Sequence, residues 1–556
     1  MLSAILNWIM ILLTVIPLGF VFLCLVERFL GYRIKTMSSV LVSGIVLSTV
    51  YAEIFSLFYR VNVEALGLLM GSSFLLAFFL RKKLCGFVKD IWSKTALWEK
   101  AGMVICFMLW SYFCSRGYLV PDMNLYHGQS IRWIQEYGVV KGLAHIHSRF
   151  AYNSAVFALS ALFDFHLIPD HSMHAVNGFL AFVLSLELLK IGRCFERKDM
   201  LLSDYGRVAL FYYMALIWDE VSAPSSDYAV MFILFFLIIK WLSHLESKEK
   251  ENITPYCLLC VLGVFALSLK LTAGLILILL IKPAVRLLRE KKWKEIAIYL
   301  GMGILTAAPW MMRTVIICGW LFYPFTAIDL FDVEWKLRNT LLIDMDAKLI
   351  AAWARGTRHL GVDIPIRTWY PLWFQNELFN SEKIIIIGDL MACLGTVLLA
   401  VWVFLKKLWN KLDELLVLCT LMGCFLFWQV SAPMLRYGYA YVLLLGFVAA
   451  GEFFGLLPWR GKMLYVVYAG LLLFCGFKLF IGGKYICETW RQPYYIWQED
   501  YERSEPKEEY RVGDAVLYIM EEGYPPGYYV FPVLADEPGK PELLGDGIRD
   551  GFRSGE

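Results

Sequence analysis

Ionisable residues that interrupt apolar stretches are costly unless they are paired or put to use, so they are where chemistry is sought first. Asp122 directly follows Pro121 and opens the segment Pro121-Asp122-Met123-Asn124-Leu125-Tyr126-His127. A carboxylate there can act as general base on a hydroxyl that comes within hydrogen-bond reach, with Tyr126 and His127 beside it as substrate contacts. The competing reading is a solvated aspartate capping a helix that begins at Asn124. Asp219, Glu220 and Asp227 form a second acidic group in a short loop between apolar runs. Carboxylates from two such loops can hold a divalent metal or divide acid and base roles, and capping again competes.

Lys270 breaks an otherwise apolar hairpin at Leu269-Lys270-Leu271. It can simply snorkel to water, or it can bind a lipid phosphate at headgroup depth. Arg313 closes Pro309-Trp310-Met311-Met312-Arg313, and Arg436 lies in Pro433-Met434-Leu435-Arg436-Tyr437. Both suit phosphate, because a guanidinium donates two parallel hydrogen bonds. Arg355, Arg358 and Arg367 read as a solvated face. His127, His145, His147, His171 and His174 do not have the spacing of a three- or four-ligand metal site, so no metal or other cofactor is assigned. There is no Gly-rich phosphate loop, HExxH pair or GxSxG elbow.

The elements that must position these residues follow from composition. Of 556 residues, 59% are hydrophobic and 18% charged, far from the balance of a soluble chain. Aromatic residues at 16%, with 20 Trp and 30 Tyr, suit a chain that crosses the lipid–water interface many times. The net charge of +3 points to no polyanionic partner, which excludes nucleic acid as the main ligand. The cysteines lie mostly in apolar runs and form no disulfide framework; Cys257 and Cys260 pack within one such run.

Apolar runs fall at 3–26, 38–58, 61–80, 100–118, 173–190, 207–219, 225–242, 254–269, 271–282, 295–312, 384–405, 413–430, 434–454 and 463–481, about fourteen spans of an all-α polytopic membrane protein. The first lacks a basic leader and a cleavage site, so it is expected to remain as a helix. Lys and Arg concentrate after alternate spans, which places those loops in the cytoplasm. Both termini, the loops 119–172 and 313–383, and the tail 482–556 are then extracytoplasmic. This parity requires 154–168 to be an interfacial or re-entrant helix following an amphipathic stretch, 132–149. The tail carries about twice as many acidic as basic residues and reads as a small appendage with a helix over 510–520 and a strand over 528–534.

From about residue 101 to 455 the chain resembles the GT-C superfamily of polytopic membrane glycosyltransferases. Asp122-x-x-x-Tyr126, followed by 131–138 and an interfacial helix, is similar to the first outer loop of that family, whose Asp serves as catalytic base. Asp227 before an apolar span resembles its second acidic motif, and Lys270 resembles a recurring membrane-surface lysine. Pro309-Trp310-x-x-Arg313 with Gly319-Trp320-Leu321-Phe322-Tyr323-Pro324 resembles a frequent bacterial pattern. Many members have Asp-Glu where this chain has Asp122-Met123, and about three spans precede the similar core.

The resemblance implies three parts: N-terminal transmembrane helices over 1–99, a GT-C-like core over 100–481, and the extracytoplasmic tail. It implies a bacterial inner-membrane enzyme that moves a sugar from a polyprenyl-phosphate donor to a hydroxyl of a cell-envelope glycan or lipid. Asp122 and Asp227 would be catalytic, while Tyr126, His127, Lys270, Arg313 and Arg436 would bind substrate and phosphate. One alternative is an O-antigen-type polymerase or ligase with a lipid-pyrophosphate donor, working through outer-loop Arg and His. Another is a lipid or sugar transporter, which would favour paired inverted halves and charges near the bilayer midplane.

Overall fold

Lipid offers the backbone no hydrogen-bond partner, so apolar runs must satisfy their own N–H and C=O groups as helices. In the computed structural model, which describes residues 1–116, 121–164, 171–456, 460–521, 525–535 and 540–555, each of the apolar runs is helical. α1 (Leu2–Leu30), α2 (Met37–Ser56), α3 (Val63–Lys94) and α4 (Leu97–Ser115) come first. The loop after α4 holds α5 (Gly128–Glu136) and α6 (Ala155–Leu162), and α7 (Val176–Leu188), α8 (Arg193–Arg197) and α9 (Leu202–Met214) follow. Next are α10 (Ser226–Leu245), α11 (Thr254–Leu269), a 3-10 stretch at Leu271–Leu280 that runs into α12 (Ile281–Arg289), and α13 (Trp293–Cys318). The second long loop carries α14 (Thr340–Ala354) and α15 (Ile366–Leu372), and the chain ends its helices with α16 (Asn380–Leu405), α17 (Leu412–Ser431), α18 (Tyr439–Gly455) and α19 (Arg460–Thr489).

Among the described residues, nine helical stretches are long and apolar enough to cross a membrane: α1, α2, α3, α10, Leu271–Arg289, α13, α16, Trp409–Ser431 and Leu464–Thr489. They make the chain a mostly helical, multi-pass membrane protein. α11 and α18 are shorter apolar helices. The runs at 100–118, 173–190 and 207–219 fall on α4, α7 and α9; α7 and α9 have 13 residues each, shorter than the usual span. Residues 117–118 of the first of these runs lie outside the described residues, as do 119–120.

α10 is buried on nearly every side, which marks it as the central helix. One continuous core cluster runs from Trp8 to Tyr501, so α1–α3 share their packing with the later helices. α1 and α2 cross at their glycines: a Cβ on Gly19 would lie 1.9 Å from the Val40 carbonyl oxygen, and one on Gly44 would lie 2.0 Å from that of Val15. Small residues allow such backbone contact between membrane helices.

Backbone contacts define two ends. At one, the Met1 amino group donates to the Tyr494 carbonyl at 2.6 Å, Glu499 N to Ser115 O at 2.8 Å, Gly142 N to Ile316 O and Phe552 N to Lys141 O, both at 2.9 Å. The N-terminus, both long loops and the tail therefore meet there. At the opposite end the basic loops find carboxylates: Arg193 with Glu99, Lys190 and Lys240 with Glu187, Arg207 with Asp204, Lys282 with Asp413 and Lys411 with Glu452.

Two local expectations are corrected. The segment 510–520 is not a helix but a hairpin, β1 (Glu508–Val512) with β2 (Ala515–Ile519), Val512 opposite Ala515. Exposed Glu508, Glu509 and Arg511 contrast with buried Val512, Ala515 and Leu517, and Gly513 supplies the positive φ of 59° that the two-residue turn needs. Within 528–534 only Val533 makes a bridge, to Tyr518, and a second small pair joins β3 (Pro541–Leu543) and β4 (Phe552–Ser554). The expected interfacial or re-entrant helix over 154–168 is represented by α6, whose eight residues are all buried, as a re-entrant helix requires and an interfacial one does not. Apolar residues all round, not on one stripe, place it in the core beside α2 and α5; residues 165–168 lie outside the described residues.

The α1–α2 crossing yields the first expectation. Gly44→Val is expected to lower stability by about 1–3 kcal/mol through overpacking, read as a lower thermal unfolding midpoint in detergent. Gly71→Val, where nothing lies within 4 Å of the added carbon, is expected to leave the midpoint unchanged.

Candidate functional site

Asp227 enters the first turn of α10, where the helix dipole favours an anion. The cap itself is Ser225, whose hydroxyl accepts from Asp227 N at 3.2 Å, so the Asp227 side chain is free for other partners. It takes two cations. One oxygen accepts from the Lys270 ammonium, and the other lies 3.0 Å from Arg436 Nε.

Lys270 is delivered by the end of α11, where the backbone turns extended at φ −157° and ψ 124°. Its ammonium sits 3.8 Å from the centre of the Tyr437 ring, a cation–π contact. Arg436 lies on the 3-10 turn Leu435–Tyr437 between α17 and α18. Two indoles fix that turn: Trp373 Nε1 donates to Pro433 O at 2.8 Å, and Trp428 Nε1 to Met434 O at 2.9 Å.

Arg436 also donates from Nη2 to Asp122 Oδ2 at 2.5 Å. Asp122 stands at the head of a π-helical turn, Met123–His127, that continues into α5. The result is a chain of alternating charge, Asp122–Arg436–Asp227–Lys270, drawn from four separate stretches of sequence. Side-chain exposure differs along it: 22% for Asp122 and 21% for Lys270, but 7% for Asp227. Asp227 is the buried tie, and Asp122 is the carboxylate that water or a substrate can reach.

Tyr126 and His127 lie against this cluster. Their rings are 4.3 Å apart, and His127 also packs on Phe157 at 5.1 Å. His127 is 2% exposed and its Nδ1 has no hydrogen-bond partner among the described residues. Burial pushes its imidazole down to about 4, against the opposite pull of Asp122 and Asp227. It is therefore neutral near pH 7 and brings a polar ring, not a cation.

Arg313 is not brought to the cluster. It is buried on α13, donating to Ser56 Oγ on α2 and, at 3.3–3.4 Å, to Asn153 Oδ1. Its donors tie α2, α13 and the loop before α6 together, so the phosphate role expected for it has no support in its surroundings. The outer histidines also stay apart. His145 contacts Trp335 O, His171 stacks on Trp497, and His174 meets the Tyr501 hydroxyl. Among the described residues no group of three or more His, Cys, Asp or Glu is placed to hold a metal.

Sequence reasoning gave no role to Tyr437, although an aromatic next to a membrane-surface Arg was a usable signal. It also missed the Tyr228 hydroxyl, which donates to Glu220; burial raises the Glu220 carboxyl above its usual range. No spacing rule points to that pair. The hold of the tail on α5 was equally unsuspected. Gly527 N donates to Asn124 O at 2.9 Å, Gln129 to Val530 O at 2.7 Å, and Arg132 to the Tyr528 and Tyr529 carbonyls at 2.8 Å each.

Chemically, the cluster offers one accessible carboxylate beside two cations with hydrogen-bond donors to spare. A guanidinium has five N–H donors and an ammonium three, more than Asp122 and Asp227 consume. A group bearing negative charge, with a hydroxyl next to it, matches that set.

Residues 1–443 match a family model described as a domain of unknown function, DUF8201. No curated protein and no solved structure matches the chain.

The depressed His127 value has a signed consequence. An unfolded chain takes up a proton near pH 6.5 that the folded site refuses until about pH 4, so stability is lost as pH falls through that window. His127→Phe is expected to reduce this acid loss by up to about 3 kcal/mol. The test compares denaturation midpoints of the two proteins from pH 7 to pH 4; equal slopes would contradict the buried neutral imidazole.

Proposed function

This chain belongs to the DUF8201 family, whose description carries no activity, and we propose from the geometry of its charged cluster that it is a membrane glycosyltransferase. In this reading the roughly fourteen helical runs form a GT-C-type architecture. The end that carries the cluster is extracytoplasmic, and the donor is a sugar linked to a polyprenyl phosphate. The observation that carries the reading is the convergence of Asp122, Arg436, Asp227 and Lys270, from four separate stretches, into one partly accessible chain of ion pairs.

Lys270 and Arg436 would hold the donor phosphate with the donors that Asp227 leaves free. Phosphate oxygens arriving on Arg436 compete with Asp122 for the guanidinium and release the carboxylate toward the acceptor. Asp122 then takes the acceptor hydroxyl proton as that oxygen bonds to the anomeric carbon. The bond from that carbon to the phosphate oxygen breaks on the opposite face, and its electron pair leaves with the lipid phosphate. The two cations stabilise the negative charge that gathers there. Asp227 acts as a positioning residue in this scheme, because both of its oxygens are committed to the cations. Arg313 has no part in it.

The rival that relies on outer-loop arginines is less well supported, since Arg355 is held away from the charged cluster, its Nη2 donating to the Val430 and Ser431 carbonyls and its guanidinium lying over the Trp369 ring.

The test is sugar transfer from radiolabelled polyprenyl-phosphate donors to envelope acceptors in proteoliposomes. Asp122→Asn is expected to lower kcat by about 10²–10⁴-fold, the usual contribution of a general base. Lys270→Ala is expected to cost about 2–4 kcal/mol of transition-state stabilisation. Arg355→Ala is expected to retain turnover. Near wild-type turnover in Asp122→Asn would remove the catalytic assignment.

A further inference from the structure

The second long loop, whose arginines Arg355, Arg358 and Arg367 read as a solvated face, carries in α14 a helix that is amphipathic in the wrong sense for water. Leu341, Met345, Leu349 and Trp353 recur every four residues, Leu342 stands beside them, and all five are exposed, Leu341 to 80%. A stripe at this spacing forms one helix face. The inner face is fixed by Ile343 and Ala354, both buried, and its edge by Asp346, which accepts from the Tyr152 hydroxyl at 3.0 Å. Along another edge Lys348 pairs with Asp344 at 3.1 Å and with Asp363 at 3.2 Å. The helix thus has a protein face, a charged edge and an uncovered apolar stripe.

The height of α14 is set by a definite contact. Arg355, directly after the helix, donates to the carbonyls of Val430 at 2.8 Å and Ser431 at 3.0 Å, the last two residues of α17. These are carbonyls that a helix terminus leaves without intrahelical partners. α17 belongs to a membrane-spanning stretch, so its end lies at the lipid–water boundary. The chain enters the segment from α13 and leaves it into α16, two spans whose exposed residues, such as Ile304 and Ile384, are apolar.

We propose that α14 is a monotopic interfacial helix, its Leu341–Trp353 stripe seated in the outer boundary of the bilayer with the Lys348 edge toward water. The occupant of the stripe is lipid, and this inference does not depend on the glycosyltransferase reading. Its position relative to the charged cluster follows from the same contacts. Val430 and Ser431 are joined through Ala432-Pro433-Met434 to the turn that carries Arg436, and Tyr152 belongs to the loop whose Arg149 lies over the Tyr126 ring at 5.9 Å. α14 therefore forms a wall of the site on the side that faces the membrane.

The full chain in phosphatidylcholine–phosphatidylglycerol nanodiscs, doped with phosphatidylcholine bearing a diazirine near the carbonyl end of one acyl chain, tests this directly. After irradiation, peptide mapping is expected to find lipid adducts within 340–354, on the stripe residues. The double variant Leu341→Asp, Met345→Asp is expected to lose these adducts severalfold, while adducts on α13 and α16 persist and report an intact fold. An unlabelled 340–354 segment alongside labelled α13 and α16 would overturn the proposal. So would a double variant that keeps its adducts, or covalent dimers joined through this segment, which would make a second copy the occupant.

Discussion

A carboxylate taken almost wholly out of water must be matched by positive charge, and Asp227 sets this condition for the end of the bundle where the long loops meet. Both of its oxygens are claimed, one by Lys270 and the other by Arg436. Meeting that demand fixes where α10 begins, where α11 ends and how the chain turns between α17 and α18. Once Arg436 is held there, its remaining donors reach Asp122 and bring the π-turn before α5 to the same place. The cluster is thus assembled from its most buried member outward, and the last member added is the one with access to solvent.

The opposite end solves the same problem differently. Glu187 is surrounded by Lys190, Lys240 and the Ser38 hydroxyl, and Asp204 by Arg197 and Arg207, with both carboxylates buried. These groups lock α2, α7, α9 and α10 together and leave no accessible carboxylate. Arg313, tied to Ser56 and Asn153, is a third staple, held by neutral partners. What separates the Asp122–Lys270 cluster from such staples is a carboxylate that is open to solvent.

The scarcity of charge made much of this readable in the sequence. Asp122, Asp227, Lys270 and Arg436 each stood out by interrupting or bordering apolar runs, and the alternation of basic loops sorted the chain into two ends. Arg313 stood out for the same reason but stands apart from the cluster, because position in a run does not reveal that Ser56 and Asn153 will engage its guanidinium. The segment 510–520 was read as a helix although Gly513-Asp514 marks a turn and β-branched and aromatic residues flank it; a short strand pattern in an otherwise helical chain is easily overruled. The stripe on α14 was hidden by Asp344, Asp346 and Lys348, whose charges give a polar average to a helix whose faces differ sharply. Contacts between residues hundreds of positions apart, such as Gln129 with Val530, have no local signature at all.

The hold of residues 527–530 on α5 and on the Asn124 carbonyl has a consequence for biosynthesis. A chain made from its N-terminus completes the helices that carry Asp122 early, but the segment that grips α5 is synthesised only after α19. That segment can reach α5 only if α19 has been threaded through the bilayer in the correct sense. A chain that misinserts its last span leaves Gly527, Tyr528 and Val530 on the other side of the membrane, with the helix below Asp122 unclasped. The grip therefore couples the clasp on α5 to completion of topogenesis, so that proteins with an inverted or missing final span are also proteins whose α5 lacks the hydrogen bonds of the tail.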